Sequence, residues 1–324
     1  MKMRKALFLY NPQSGPNDGH LHAVQRAAAI LRDAGVETSM AATLSSAEAG
    51  NQAKNAIAQG CDTIFACGGD GTIQDVAQGL VGESAALALI PLGTANVLAH
   101  DLGIAADPER AAHAALDAVA LRVSVGHVAC RTLAGVPVSR YFLSVAGVGL
   151  DGYLFQQLEE QSDTRGKKIL GLTAYLFQAF QVWRSYPMRQ FAVMFATSPE
   201  DVEHVPVLVT QLLAVRIRDF GNLLRRLAPG ASLLRHDFRV VLFETPSRWS
   251  YLLYVLRVAI GLGYGVRGVE LRDTASLCCD AVATGGPIYI EADGDLLGQL
   301  PAEISIVPDA LILLVPRDFA SRQR

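Results

Sequence analysis

The segment Cys67-Gly68-Gly69-Asp70-Gly71-Thr72 sets three glycines around one carboxylate. Glycine tolerates positive φ and lets backbone N–H groups come close to a ligand. The segment follows a strand-like apolar run and precedes a helical pattern. A loop in that place offers a phosphate the free N–H donors and partial positive charge of a helix start. An aspartate inside it repels phosphate unless a cation lies between them. Asp70 therefore points to Mg²⁺, held by a hard carboxylate and the phosphates together. A plain turn capped by Asp70 or Thr72 is the simpler alternative, but it requires fewer glycines.

A second loop, Pro91-Leu92-Gly93-Thr94-Ala95-Asn96, also follows a strand-like run. Pro and Gly shape it, and Thr94 and Asn96 offer neutral hydrogen bonds at a helix start. Two more polar loops, Asn11-Pro12-Gln13-Ser14-Gly15 and Thr43-Leu44-Ser45, leave the first two strands. Ligands of a parallel sheet bind outside the carboxyl ends of its strands. Four such loops on one edge, carrying Asn11, Ser14, Gly15, Thr43, Gly93, Thr94 and Asn96, read as one phosphate cradle. A third cluster, Glu291-Ala292-Asp293-Gly294-Asp295, is an acidic turn whose carboxylates could share a metal or take a proton from a hydroxyl. A surface hairpin turn has the same signature.

The elements that must carry these loops alternate over the first 120 residues. Strand-like runs at Lys5–Tyr10, Val36–Thr43, Asp62–Ala66 and Ala86–Ile90 are separated by helical patterns at His20–Asp33, Ala47–Ala58 and Thr72–Leu80, and another follows at Pro108–Ala120. That order predicts an α/β domain with a parallel sheet and helices on both faces. Beyond residue 124 short β-rich runs dominate: Leu121–Ala129, Tyr141–Val145, Phe191–Ala196, Val205–Val209, Phe238–Phe243 and Pro287–Glu291. Helical stretches at Lys167–Trp183 and Ser247–Ile260 interrupt them. The expectation is a nucleotide-binding α/β domain over 1–124, rejoined by the apolar tail at about 308–324, and a mostly-β sandwich domain over 125–307.

Composition bounds the function. The chain has 324 residues, of which 51% are hydrophobic and 18% charged, so it can bury a full core and is no disordered chain. Its net charge of −3 argues against a nucleic-acid partner. Residues 205–272, however, carry ten Arg and no Lys against four acids, which suits an anionic membrane or phosphate partner as well as an ordinary surface rim. Five cysteines without a CxxC read as a reduced, cytosolic chain. The apolar stretch Trp249 to Val266 has Arg257 at its centre and three glycines, which indicates a buried or interfacial helix instead of a membrane span. The N-terminal apolar run ends at Asn11-Pro12, too soon for a signal peptide. GxxxxGK[ST], an opening GxGxxG, HExxH and GxSxG are all missing, which disfavours P-loop enzymes, Rossmann dehydrogenases, and metal and serine hydrolases.

Taken in order, NPQSG, GGDGT, PLGTAN and the DGD turn resemble the catalytic domain of diacylglycerol kinases. The nearest likeness is to bacterial YegS-like lipid kinases, relatives of sphingosine and ceramide kinases. The resemblance implies ATP with Mg²⁺ in a cleft between an α/β domain and a β-sandwich domain, and transfer of the γ-phosphate to a lipid hydroxyl. It implies nucleotide contacts at Thr43, at Gly68, Gly69, Asp70, Gly71, Thr72, Ile73 and Gln74, and at Thr94. It puts the proton acceptor at Asp295 and a structural Mg²⁺ on the backbone of Leu234 and Arg239 and the side chain of Asp237. It implies a cytoplasmic protein working peripherally at the inner face of an anionic membrane, and it is compatible with a homodimer. Trp249, Tyr251, Leu252 and Tyr254 are the expected points of shallow insertion. Four places depart from the family: Asp295 stands where relatives have Glu, Phe238 where they have Gly after the metal aspartate, Leu223-Leu224-Arg225-Arg226 where many have Gly-rich sequence, and Val97 where many have Asp. A non-catalytic lipid- or nucleotide-binding relative and a soluble kinase similar to NAD kinases remain as alternatives.

Overall fold

The computed structural model describes residues 3–12, 19–165, 180–198, 201–202, 205–221, 227–262, 265–282 and 285–321. The chain divides into two compact units, one made of Met1–Val125, Asp219–Gly221 and Val307–Arg324, the other of Gly126–Arg218 and Asn222–Ile306.

In the first unit, strands β1 (Lys5–Tyr10), β2 (Glu37–Ala42), β3 (Thr63–Gly68) and β4 (Ala86–Pro91) alternate with helices α1 (Gly19–Asp33), α2 (Ser46–Ala58) and α3 (Asp70–Gln78). β1 lies between β2 and β3, and β4 pairs with β3, all parallel. β3 and β4 are buried along their full length, as expected of strands covered on both faces. Phe8 and Phe65 stack at 4.3 Å across the β1–β3 pair, within a core completed by the apolar faces of α1 and α5 (Pro108–Leu116). The short helix α4 (Val97–Leu102) follows β4 directly.

The chain leaves this unit within β5 (Val119–Arg131) and returns within the long strand β16 (Asp295–Val315), whose end pairs parallel to β4 through Ile312 and Ala86. The segment 219–221 belongs to the first unit, where the Asp219 N–H donates to Asp101 Oδ1 at 3.0 Å and His100 Nδ1 lies 3.5 Å from the Asp219 carboxylate.

The second unit is mostly β and antiparallel. Its strands are β6 (Pro137–Phe142), β7 (Val145–Val148), β8 (Phe191–Ser198), β9 (Asp201–Val202), β10 (Val207–Val209), β11 (Gln211–Val215), β12 (Phe238–Phe243), β13 (Val269–Thr274), β14 (Ser276–Ala281) and β15 (Tyr289–Ala292). β12 lies between β11 and β13, and β7 lies between β11 and β15. One apolar core, including Phe142, Phe191, Val240, Leu277 and Ile304, holds them together. Helix α6 (Leu150–Arg165) packs on this unit, as does α7 (Arg248–Ala259), whose Tyr251 stacks on Phe243 at 4.2 Å. The final helix is α8 (Arg317–Ser321), back in the first unit.

Two local expectations change. Tyr141–Val145, expected as one strand, is split into β6 and β7: Leu143 and Ser144 lie between them, and the N–H groups of Leu143, Ser144 and Val145 all donate to the Asp293 carboxylate. α6 carries apolar residues without a clear helical stripe, so the sequence periodicity does not announce it. The helix expected over Lys167–Trp183 lies almost wholly outside the described residues, and 180–185 is helical. No helix among the described residues is long and apolar enough to cross a membrane.

Candidate functional site

The loops after β1, β3 and β4 are tied to one another in the first unit. Asn11 donates from its side chain to Thr72 Oγ1 at 3.3 Å, and its N–H donates to the Cys67 carbonyl at 3.1 Å. Asp70 opens α3, and its Oδ1 accepts the Val97 N–H at 2.7 Å, which joins the loop after β3 to the loop after β4. Gly93 passes directly over Gly69: a Cβ at Gly93 would lie 2.6 Å from the Gly69 Cα. Only glycine permits that approach, so the two backbones meet without a side chain between them.

Asn96 has φ +46° and closes its own loop. Its Oδ1 accepts the Gly93 N–H at 3.0 Å and its Nδ2 donates to the Gly93 carbonyl at 2.7 Å. Thr94 and Gly71 are exposed and offer polar groups outward. Thr72, Ile73 and Gln74 are buried, and the Ile73 N–H is spent on the Gly69 carbonyl. Their side chains therefore shape α3 from within. Thr43 is half-buried, and its N–H donates to the Tyr10 carbonyl at 2.8 Å, which anchors the loop after β2. Ser14 and Gly15 lie outside the described residues. Burial raises the Asp70 carboxyl above its ordinary value, opposed by the N–H groups of Val97, Asn96 and Leu98.

In the second unit the turn between β15 and β16 divides the labour of three carboxylates. Asp293, at φ +50°, accepts the N–H groups of Leu143, Ser144 and Val145 at 2.7, 2.8 and 2.9 Å. Glu291 is fully buried, and its Oε2 accepts the Gly294 N–H at 2.8 Å. Asp295 alone turns outward, 48% exposed, with Arg140 Nη2 3.0 Å from its Oδ2.

Asp151, in the first turn of α6, was not singled out from the sequence. It meets Glu291 over Gly147, where a Cβ would lie 2.7 Å from Glu291 Oε1 and 2.8 Å from Asp151 Oδ2. Burial pushes the Asp151 carboxyl up to about 6, and burial together with the Asp151 charge raises Glu291 well above its ordinary value. Two carboxyls so close in a dry site share a proton. Glu291 stands in the noted acidic turn, but nothing along the chain links it to Asp151. Arg140, the partner of Asp295, also carries no local signal.

The residues expected to hold a structural Mg²⁺ do not make that donor set. The Asp237 carboxylate is taken by Arg235, with Nε–Oδ1 2.5 Å and Nη2–Oδ2 2.6 Å. Arg239 lies inside β12 opposite Val215 and Asp273, so its backbone serves the sheet. Leu234 is half-buried beside them. Among the described residues no group of three or more His, Cys, Asp and Glu gathers as a metal cluster. Asp70 differs. A single hard carboxylate beside glycine loops fits a Mg²⁺ ion that arrives with phosphates and keeps most of its ligands from them and from water.

The expected insertion residues on α7 also divide. Trp249 is 70% exposed and packs edge-on against Trp183 at 5.5 Å. Tyr251 and Tyr254 point inward, their hydroxyls bonded at 2.6 Å to Thr210 Oγ1 and the Leu227 carbonyl, and Leu252 is half-buried. The exposed apolar residues are instead Trp249, Leu253, Val255 and Leu256 on the helix and Ile260 and Leu262 just after it.

Comparison with known proteins finds a family likeness over part of the chain. Residues 5–128 match the model of the diacylglycerol kinase catalytic domain. The chain is 28% identical, over 99% of both lengths, to a diacylglycerol kinase from Bacillus subtilis. It is 35% identical to the Pseudomonas aeruginosa protein named "Probable lipid kinase YegS-like", across 54% of this chain and 52% of that one. A crystal structure of a diacylglycerol kinase from Bacillus anthracis superposes with TM-score 0.67 at 17% identity, covering 97% of this chain and 98% of that one, a likeness of fold.

Proposed function

We propose that this chain, whose residues 5–128 match the diacylglycerol kinase catalytic domain, belongs to that family and is an ATP-dependent lipid kinase. The reaction is transfer of the γ-phosphate of ATP to the hydroxyl of a lipid such as diacylglycerol. The observation that carries this reading is the joining of the two glycine loops, with the Asp70 carboxylate on the Val97 N–H and Gly69 against Gly93. Such a surface binds phosphate through backbone N–H groups, and phosphoryl transfer asks a protein mainly for positioning and charge. Thr94 and the first-turn N–H groups of α3 orient the phosphates. Asp70 would hold a Mg²⁺ ion, which when bound neutralises the phosphate charge.

Asp295 takes the hydroxyl proton, the hydroxyl oxygen bonds to the γ-phosphorus, and ADP leaves. Asp293 and Glu291 hold the turn that presents Asp295, and Arg140 orients its carboxylate. The substrate lies in a membrane, so the protein acts as a peripheral one from the cytoplasmic side, and the apolar outer face of α7 supports that role. The ion pair with Arg140 also gives weight to a second reading, a relative that binds lipid and nucleotide without catalysis, because it engages the one carboxylate suited to be the base.

The deciding experiment offers the full chain labelled ATP, Mg²⁺ and a lipid panel of diacylglycerol, phosphatidylglycerol, a sphingoid base and ceramide, with products read by mass. One acceptor is expected to be phosphorylated, and Asp70→Asn to abolish the transfer in a folded protein. Asp295→Asn should lower turnover by about 10²–10⁴-fold, the usual worth of a general base, and leave ATP affinity within a few-fold. Asp295→Glu should retain measurable activity. Wild-type turnover in Asp295→Asn would move the base elsewhere. ATP binding without phosphorylation of any lipid, in both wild type and Asp295→Glu, would favour the non-catalytic reading.

A further inference from the structure

We propose that the loop 233–237 is closed by a cation built into the chain, the Arg216 guanidinium, in place of the structural Mg²⁺ expected there. Arg216 follows β11 and is fully buried. Its Nη1 donates to the Arg235 carbonyl at 2.9 Å and also to the Asp237 carbonyl, and its Nη2 donates to the Leu233 carbonyl at 2.9 Å. Three carbonyls of one loop thus converge on a single positive group. An ion on the Leu234 and Arg239 carbonyls and the Asp237 side chain would close the same loop; the guanidinium closes it through the neighbouring carbonyls instead. It does so with a planar fork of donors and needs no octahedral shell.

The charges around the loop agree. Both oxygens of Asp237 are occupied by Arg235. Asp273, on the neighbouring strand β13, receives Arg235 Nη2 at 3.2 Å and Arg239 Nη1 at 2.9 Å. Three guanidiniums therefore stand against two carboxylates, and a divalent ion added among them would raise an existing positive excess. Phe238, the residue after Asp237, is buried and starts β12, so the chain enters the sheet at once and the backbone of Arg239 is committed to it. This inference stands whether or not the chain phosphorylates a lipid, since it rests only on contacts within the second unit.

The test is thermal unfolding of the full chain without nucleotide or lipid, first in EDTA and then with Mg²⁺ added back. A site filled to 100 times its Kd would raise the Tm of a unit this size by about 5–10 °C. The wild-type Tm is expected not to move. A saturable rise that Asp237→Asn removes would overturn the proposal. A rise that survives Asp237→Asn comes from another site and leaves the loop free of metal, as expected. Arg216→Met should lower the Tm by several degrees, because three carbonyls lose their donor, and Arg216→Lys should recover only part of it. Arg216→Met with an unchanged Tm would also overturn the proposal. If Arg216→Met does not fold, the Mg²⁺ titration of the wild type decides alone.

Discussion

Glu291, Asp293 and Asp295 stand within five residues and do three different things, because their surroundings differ. Asp293 is consumed by backbone N–H groups, Glu291 is shut in with Asp151, and Asp295 meets solvent and Arg140. The shut-in pair has a consequence for pH. Burial holds both carboxyls above their ordinary values, Asp151 above 3.8 and Glu291 well above 4.5. The unfolded chain releases both protons at lower pH than the folded one. Stability contributed by the protonated pair is therefore complete below the unfolded values and is lost as pH rises through the folded ones. Glu291→Gln removes one of the two titrations and keeps an acceptor for the Gly294 N–H. Its Tm relative to wild type is expected to climb between about pH 5 and about pH 8, measured by calorimetry. A difference that stays flat over that range would mean the pair is not held protonated.

At the scale of elements, strand ends and helix starts do the positioning. β3 and β4 are rigid because both are buried throughout, so the loops that leave them start from fixed points. What draws the loops together is the Asp70–Val97 hydrogen bond and the passage of Gly93 over Gly69. Gly93→Ala would thrust a Cβ to 2.6 Å from a backbone carbon and 2.8 Å from Asn96 Oδ1, so the backbone itself must move. The expected cost is about 1–3 kcal/mol in denaturant unfolding, the usual range for overpacking. Phosphate or ATP affinity should fall as well, since the loop can no longer close. An unchanged affinity would show that the cradle does not depend on this approach. α7 illustrates the opposite case. Its tyrosines are recruited inward by Phe243 and Thr210, which leaves the leucines and Trp249 outside.

For the whole molecule, the positive stretch over 205–272 is less of an external field than its ten arginines suggest. Arg235, Arg239 and Arg272 are paired with carboxylates within the second unit, and Arg216 is fully buried. Arg225 and Arg226 lie outside the described residues. Binding to anionic vesicles is expected to weaken as salt screens the remaining charge, and to keep an apolar component that salt does not remove. Replacing Trp249 and Leu256 by Ala should abolish that residual binding in a sedimentation assay. Residual binding that survives the double variant would take α7 out of the membrane-docking role.

Much of the architecture was legible along the chain. The alternation of apolar runs and helical patterns specified the α/β unit, because burial on both faces of a parallel strand requires continuous apolar residues. GGDGT and PLGTAN announced their loops, since glycine at those positions is a backbone requirement that local sequence must meet. The apolar tail was recognisable as a strand, and its pairing with β4 follows from the same need for burial. Other features were decided only when distant segments met. Asp151 faces Glu291 across 140 positions of chain, Arg140 finds Asp295, and Arg216 receives three carbonyls from a loop about twenty residues away. Period and propensity describe neighbours in sequence. A shared proton, an ion pair and a buried guanidinium depend on distances that only the folded chain sets, and so does the choice of which carboxylate is left facing solvent.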